Sequence, residues 1–127
     1  MYNIKPSVQA ILDRGGTSMD AAVILTYRCN ARCQMCHTWK YPSRREQEIT
    51  IEDIEKLPSN LEYVNITGGE PTLRDDLVDI VGVLSKKARK VEISTNGYFT
   101  NRLVEVAKKY TDIRIRVSVQ GLPRINN

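Results

Sequence analysis

No stretch of this sequence is apolar for anything near the roughly 20 residues that cross a bilayer. Its opening, MYNIKPSVQAILDRGG, has neither a basic leader followed by an apolar stretch nor a small-residue cleavage site. The expectation is a soluble, cytoplasmic protein with no membrane partner. A strong excess of one charge is lacking too, since 19 Lys and Arg against 15 Asp and Glu leave +4. The densest basic run, Lys86 to Lys90, falls at an expected helix end, where cations complement the helix dipole; no nucleic-acid partner is indicated. Repeats, low-complexity segments and interdomain linkers are missing as well. A chain of 127 residues with 41% hydrophobic content therefore suits one domain or a piece of one.

Cysteine is absent from the whole chain except CNARCQMC, where Cys29, Cys33 and Cys36 stand close to the only histidine, His37, and the only tryptophan, Trp39. An odd count at such short spacing is a poor disulfide framework and points instead to metal binding or redox chemistry.

The order of elements places this cluster. AAVILTY, Ala21 to Tyr27, reads as a short buried strand that ends where Cys29 begins. After the cysteine loop the polar KYPSRREQE reads as a mobile connection. Thr50 then caps a helix with Asp53 in the third position, and Ile51, Ile54 and Leu57 form its apolar stripe. LEYVNIT, Leu61 to Thr67, is a second strand closed by GGEP. A helix follows, capped by Asp75 or Asp76, with Leu77, Ile80, Val81 and Leu84 on one face. KVEIST is a third strand that ends in Asn96 and Gly97, and RLVEVAKKY is a crossover helix. Asp112 to Gly121 alternates apolar and polar residues as a fourth strand.

Strands that alternate with helices imply an α/β fold of parallel (β/α) repeats. Cys29 to Cys36, Gly68 to Pro71, Ser94 to Gly97 and Ser118 to Gly121 all lie at or just past the carboxyl end of a strand. That edge is where such folds gather ligands.

Three nearby thiolates favour an iron–sulfur cluster, zinc or copper(I) over harder cations. Zinc with His37 as fourth ligand is one reading, although adjacent Cys36 and His37 are hard to aim at one ion. A 4Fe-4S cluster held by only three cysteines would leave one iron open to a small molecule.

The spacing C-x3-C-x2-C after a first strand resembles the defining motif of the radical S-adenosylmethionine (radical SAM) enzymes. TGGEP, Thr67 to Pro71, resembles their methionine-binding motif; STNG and VSVQG follow in the family's order, and the resemblance covers the chain from about residue 20 onward. It implies part of a partial TIM barrel, about four of six βα units. Residues 1–20 would be an N-terminal extension or helix, and residues 21–127 the N-terminal portion of a core that is truncated here.

The resemblance further implies that Cys29, Cys33 and Cys36 hold a 4Fe-4S cluster and that S-adenosylmethionine binds its open iron. Reductive cleavage would then give a 5'-deoxyadenosyl radical that abstracts hydrogen from a substrate. Gly68, Gly69, Glu70 and Pro71 would hold the methionine part, Glu70 accepting from its ammonium and the glycines letting backbone approach the ligand. Ser94, Asn96 and Ser118 would reach the ribose or carboxylate, with Thr95 beside them, and Met35 would pack near the adenine. Gln120 stands where relatives usually carry Asp and has no assigned catalytic role. His37 and Trp39 read as loop packing.

An electron donor such as flavodoxin or ferredoxin and a substrate that is a peptide or small molecule complete the expected partners. The branch resembled includes molybdenum-cofactor, haem and peptide-maturation enzymes, and nothing in the residues selects among their substrates. The open edge of the fourth strand predicts self-association. The alternative is a non-catalytic module that binds zinc or a degenerate cluster.

Overall fold

The computed structural model describes residues 10–15 and 18–119. Among the described residues, five strands form one sheet in sequence order: β1 (Ala10–Gly15), β2 (Ser18–Ile24), β3 (Leu61–Thr67), β4 (Ala88–Thr95) and β5 (Arg114–Val117). β1 and β2 pair antiparallel, whereas β2, β3, β4 and β5 run parallel. Three helices connect the parallel strands: α1 (Ile51–Glu55), α2 (Leu77–Lys87) and α3 (Thr100–Lys109). The expected α/β arrangement of four parallel strands with intervening helices is the one observed.

The segment before residue 21, expected as an extension or helix, is strand where it is described. Residues 10–15 and 18–20 belong to β1 and β2. A hairpin answers the edge problem that helical packing would leave, because β1 covers the backbone of β2 on the side away from β3. The fourth strand is shorter than expected, Arg114–Val117; Gln120 and Gly121 lie outside the described residues.

One face of the sheet makes the core. Ala21 and Val23 on β2, Val64 and Ile66 on β3, and Val91 and Ile93 on β4 are buried together with Ile54 of α1, Leu77, Ile80, Val81 and Leu84 of α2, and Leu103 and Val106 of α3. The i, i+3, i+4, i+7 stripe of α2 is thus the surface that docks on the sheet. α1 begins as expected: Thr50 accepts from the Asp53 backbone N–H, and the Asp53 carboxylate accepts from the Thr50 backbone N–H. Such a reciprocal box matters for a five-residue helix, which has few hydrogen bonds of its own. Asp76 is the residue before α2, but its side chain makes no cap and binds Arg74 instead.

The opposite face is polar. Tyr63 and Asn65 on β3, Glu92 and Ser94 on β4, and Arg114 and Arg116 on β5 share it by strand alternation and register. Glu92 is 1% exposed. Its Oε2 accepts from the Tyr63 hydroxyl and lies 3.1 Å from Arg116 Nη2, while Oε1 lies 3.9 Å from Arg114 Nη1. Burial, then the Glu92 hydrogen bond and charge, push the Tyr63 hydroxyl above its ordinary pKa. The shortest strand is therefore tied to its neighbour by ionic as well as backbone contacts.

Candidate functional site at the carboxyl rim

The singled-out segments, the fourth represented by Ser118 and Val119, meet at one end of the sheet, and backbone hydrogen bonds join the first two. Beyond β2 the chain continues beside the end of β3. Leu25 N–H donates to Thr67 O at 2.9 Å, Gly69 N–H to Thr26 O at 2.7 Å, and Glu70 N–H to Arg28 O at 2.9 Å. This close approach explains the paired glycines. A Cβ on Gly68 would stand 2.4 Å from Thr26 O, and one on Gly69 would stand 2.3 Å from Arg28 O. Gly68 also has φ +150, a conformation that disfavours side chains. The space that glycine was expected to leave for a ligand is occupied at these two Cβ positions by the backbone that leads into Cys29.

Glu70 likewise faces inward. It is fully buried, and Oε1 accepts from Thr95 Oγ1 at 2.6 Å, Thr72 Oγ1 at 2.7 Å and Thr72 N at 3.2 Å; Oε2 accepts from Asn96 N at 2.7 Å. With both oxygens committed, Glu70 joins the end of β3 to the end of β4 and is not the outward acceptor that the sequence suggested. Pro71, also expected at the cofactor, is buried at the start of a 3-10 turn, Pro71–Leu73. Asn96 extends the link, its Nδ2 donating to Asn30 Oδ1 at 2.8 Å, so the β4 end touches the cysteine loop directly. Ser94 is half-buried and donates to Asn65 Oδ1 at 2.9 Å. Ser118 is exposed at the same rim, its N–H donating to Thr95 O at 2.9 Å.

All three cysteines are free thiols. Cys29 is half-buried, whereas Cys33 and Cys36 are exposed. A turn from Cys36 N–H to Cys33 O at 3.2 Å shapes the loop, and Trp39 Nε1 donates to the same carbonyl at 3.1 Å. Burial raises the Cys29 thiol above its ordinary value, against a smaller opposing effect of the Ala31 N–H. Cys36 is lowered by hydrogen bonds with the Thr38 side chain and backbone. Among the described residues, no group of three or more His, Cys, Asp and Glu stands as one metal-ion cage. Met35 is 77% exposed. His37 is exposed too and is followed by a 3-10 turn, Thr38–Lys40.

Sequence reasoning missed the carboxylate that closes the loop. Glu48, in the segment expected to be a mobile connection, is 3% exposed. Its Oε1 accepts from Thr26 Oγ1 at 2.5 Å, Arg28 Nε at 2.7 Å and Ser43 Oγ at 2.9 Å, and its Oε2 from Arg28 Nη2 at 3.0 Å. Arg28 immediately precedes Cys29, so the fork–fork pair fastens the two ends of the cysteine loop to each other. Arg74 sits beneath, donating to Leu25 O at 3.0 Å and Ile49 O at 2.8 Å and pairing with Asp76. Burial alone would raise Glu48, but the bonds from Arg28, Thr26 and Ser43 outweigh it and hold the carboxyl below its ordinary range. The available signal was Arg28 itself: an arginine at a strand end, beside buried apolar residues, needs an acceptor.

Comparisons with known proteins show what the chain is similar to. Residues 23–126 match the model of the radical SAM superfamily. The chain is 37% identical over 103 residues to GTP 3',8-cyclase of Actinobacillus pleuropneumoniae serotype 5b, covering 74% of this chain and 30% of that protein. It is 33% identical over 122 residues to the probable GTP 3',8-cyclase of Thermococcus kodakarensis, covering 91% and 36%. With the GTP 3',8-cyclase of Aquifex aeolicus it shares 35% identity over 111 residues, 79% and 34% of the two chains. The chain thus spans about a third of the length of these curated relatives. The cysteine spacing, the four-segment rim and the family match lead to one conclusion: the chain belongs to the radical SAM superfamily.

Proposed function

We propose that this chain is the cofactor-holding part of a radical SAM enzyme, with Cys29, Cys33 and Cys36 as the ligands of a 4Fe-4S cluster. The observation that carries the reading is that three free thiols of soft-ligand character lie on one loop at the carboxyl rim, with both ends of that loop fastened by Glu48. Thiolates that bind separate irons need no common point, so this donor set fits a polynuclear group better than a single ion.

S-adenosylmethionine, bound beside the cluster, would supply a carbon radical for hydrogen abstraction from a substrate. The chain's own residues would position it. Gly68 and Gly69 bring the β3 end against the cysteine loop, Glu70 fixes the β4 end, and Asn96 bridges to Asn30. Ser118, Asn96 and Met35 then remain as side chains at the rim with exposed or half-exposed atoms for the cofactor's polar and apolar parts. Ser94 retains acceptor capacity while it donates to Asn65.

The relatives are named for a reaction of GTP. For this chain we place the substrate over the polar sheet face and leave its class open between a small molecule and a peptide. Arg114 and Arg116 both already share Glu92, which leaves that face less suited to a triphosphate than two unpaired arginines would be. A low-potential electron donor completes the set of partners. We place the protein in the aqueous phase of the cytoplasm; no helix among the described residues is long and apolar enough to cross a membrane.

Anaerobic reconstitution with iron and sulfide tests the ligand assignment. Wild type is expected to take up about four irons and four sulfides per chain, and Cys29→Ser, Cys33→Ser and Cys36→Ser each to lose most of them. One tightly held zinc per chain, with no iron uptake, would instead establish the non-catalytic module.

A further inference from the structure

One group on the polar face of the sheet has an unmet hydrogen bond. Glu92 is 1% exposed, and its Oε1 is buried with no hydrogen-bond partner among the described residues. Oε2 accepts from the Tyr63 hydroxyl and lies 3.1 Å from Arg116 Nη2, whereas Arg114 Nη1 stands 3.9 Å from Oε1, too far for a hydrogen bond. The buried carboxylates Glu48 and Glu70 have both oxygens bonded. Leaving one buried carboxylate oxygen bare costs stability, so in this fold Oε1 of Glu92 marks a place for a further donor.

Position indicates where that donor comes from. Glu92 precedes Ser94 by two residues on β4, so the two side chains share a face, and Ser94 is bonded to Asn65 there. Glu92 therefore lies one side-chain step, about 6.6 Å, below the rim, on the face where we place the substrate.

Charge indicates the donor's chemistry. An ammonium group at Oε1 would also meet the guanidiniums of Arg114 and Arg116, and a carboxylate or phosphate would meet Glu92 itself. A neutral group with a donor beside an acceptor meets neither objection. Its N–H can face Oε1 while its carbonyl faces Arg114, whose exposed side chain has solvent to move into. We propose that Glu92 and Arg114 form a specificity site for a planar amide of the substrate, N–H to Oε1 and C=O to the guanidinium. The inference rests on the function proposed above and deepens it: peptides carry this group at nearly every residue, and among small molecules the cyclic lactams carry it.

The test is an NMR titration of the 15N-labelled chain with four probes: N-acetylglycine methylamide for the peptide bond, 2-pyridone for the lactam, and acetate and methylammonium as ions. At least one amide should give saturable shifts in the backbone signals of Glu92, Ser94 and Arg114 and bind on the order of tenfold tighter than either ion. Whichever amide binds more tightly identifies the source, peptide or lactam, and either result supports the site. Glu92→Gln should weaken that amide on the order of tenfold. Arg114→Gln, at an exposed side chain, should weaken it several-fold and tests the site even if Glu92→Gln loosens β5. Glu105→Gln, the same chemical change at an exposed position of α3, should leave binding within about twofold.

An ion that binds as tightly as both amides overturns the proposal. So does an amide response that both site variants leave intact. The absence of any saturable shift overturns it as well, because the bare oxygen then belongs to water. The titration needs no cluster, so failure of the chain to take up iron and sulfide refutes the enzyme reading separately from the amide result.

Discussion

Glu48 and Arg28 make the strongest demand on individual residues. Removing the carboxylate strands a guanidinium beside Cys29 and leaves the Thr26 and Ser43 hydroxyls without their shared acceptor. Glu48→Ala should cost about 2–3 kcal/mol of stability, read from urea unfolding, and should raise hydrogen exchange in the amides of the cysteine loop. Acid should act in the same direction. The unfolded carboxyl takes its proton near the ordinary glutamate value of about 4.3, whereas the folded one, held lower, does so only at more acid pH. Between those values the unfolded state binds more protons. Glu48 therefore stabilises the fold above the ordinary value, and that stabilisation fades as pH falls through the folded value. Glu48→Gln should flatten the acid limb of the stability curve, and an unchanged limb would show that other groups set it. The glycines make a different demand. Gly69→Ala would set a methyl against Arg28 O, a backbone atom that cannot rotate away. A loss of about 3 kcal/mol is expected, with the cysteine loop displaced, and thermal unfolding checks it.

Among the elements, β5 is the shortest strand and depends on side chains for its place. Arg114 and Arg116 reach back to Glu92, and the Ser118 N–H reaches Thr95 O. Glu92→Gln should lower hydrogen-exchange protection in Arg114–Val117 while β2, β3 and the helices stay protected; uniform loss of protection would mean that Glu92 supports the whole sheet. The parallel strands were legible from short apolar runs or, for β5, from alternation of apolar and polar residues, and LEYVNIT coincides with β3 as observed. α1 was legible from its capping box and α2 from its apolar stripe, although the cap expected of Asp76 does not form. β1 was not, since AILDRG has neither clean alternation nor a sustained apolar run, and the Gly15–Gly16 pair was its one turn signal. The cysteine, GGEP and STNG segments were placed at the correct rim from strand ends alone. What the sequence did not disclose was which way their side chains turn. Glu70 turned inward and Glu48 became a clasp because partners brought together by the fold, over 20 or more residues, decide orientation.

At the scale of the whole molecule, four parallel strands bring chemistry from separate parts of the sequence to one rim, while helices cover one sheet face and leave the other polar. Buried carboxylates at that rim then do for loops what the core does for strands: they fix one arrangement by leaving costly unpaired groups in any other. The central claim is that this rim holds a 4Fe-4S cluster with an iron open to S-adenosylmethionine. It is tested most directly by low-temperature electron paramagnetic resonance of the reconstituted, dithionite-reduced protein, recorded with and without S-adenosylmethionine. The account predicts a reduced 4Fe-4S signal whose g-values shift when S-adenosylmethionine is added. A reduced cluster signal that is identical with and without it would contradict the account.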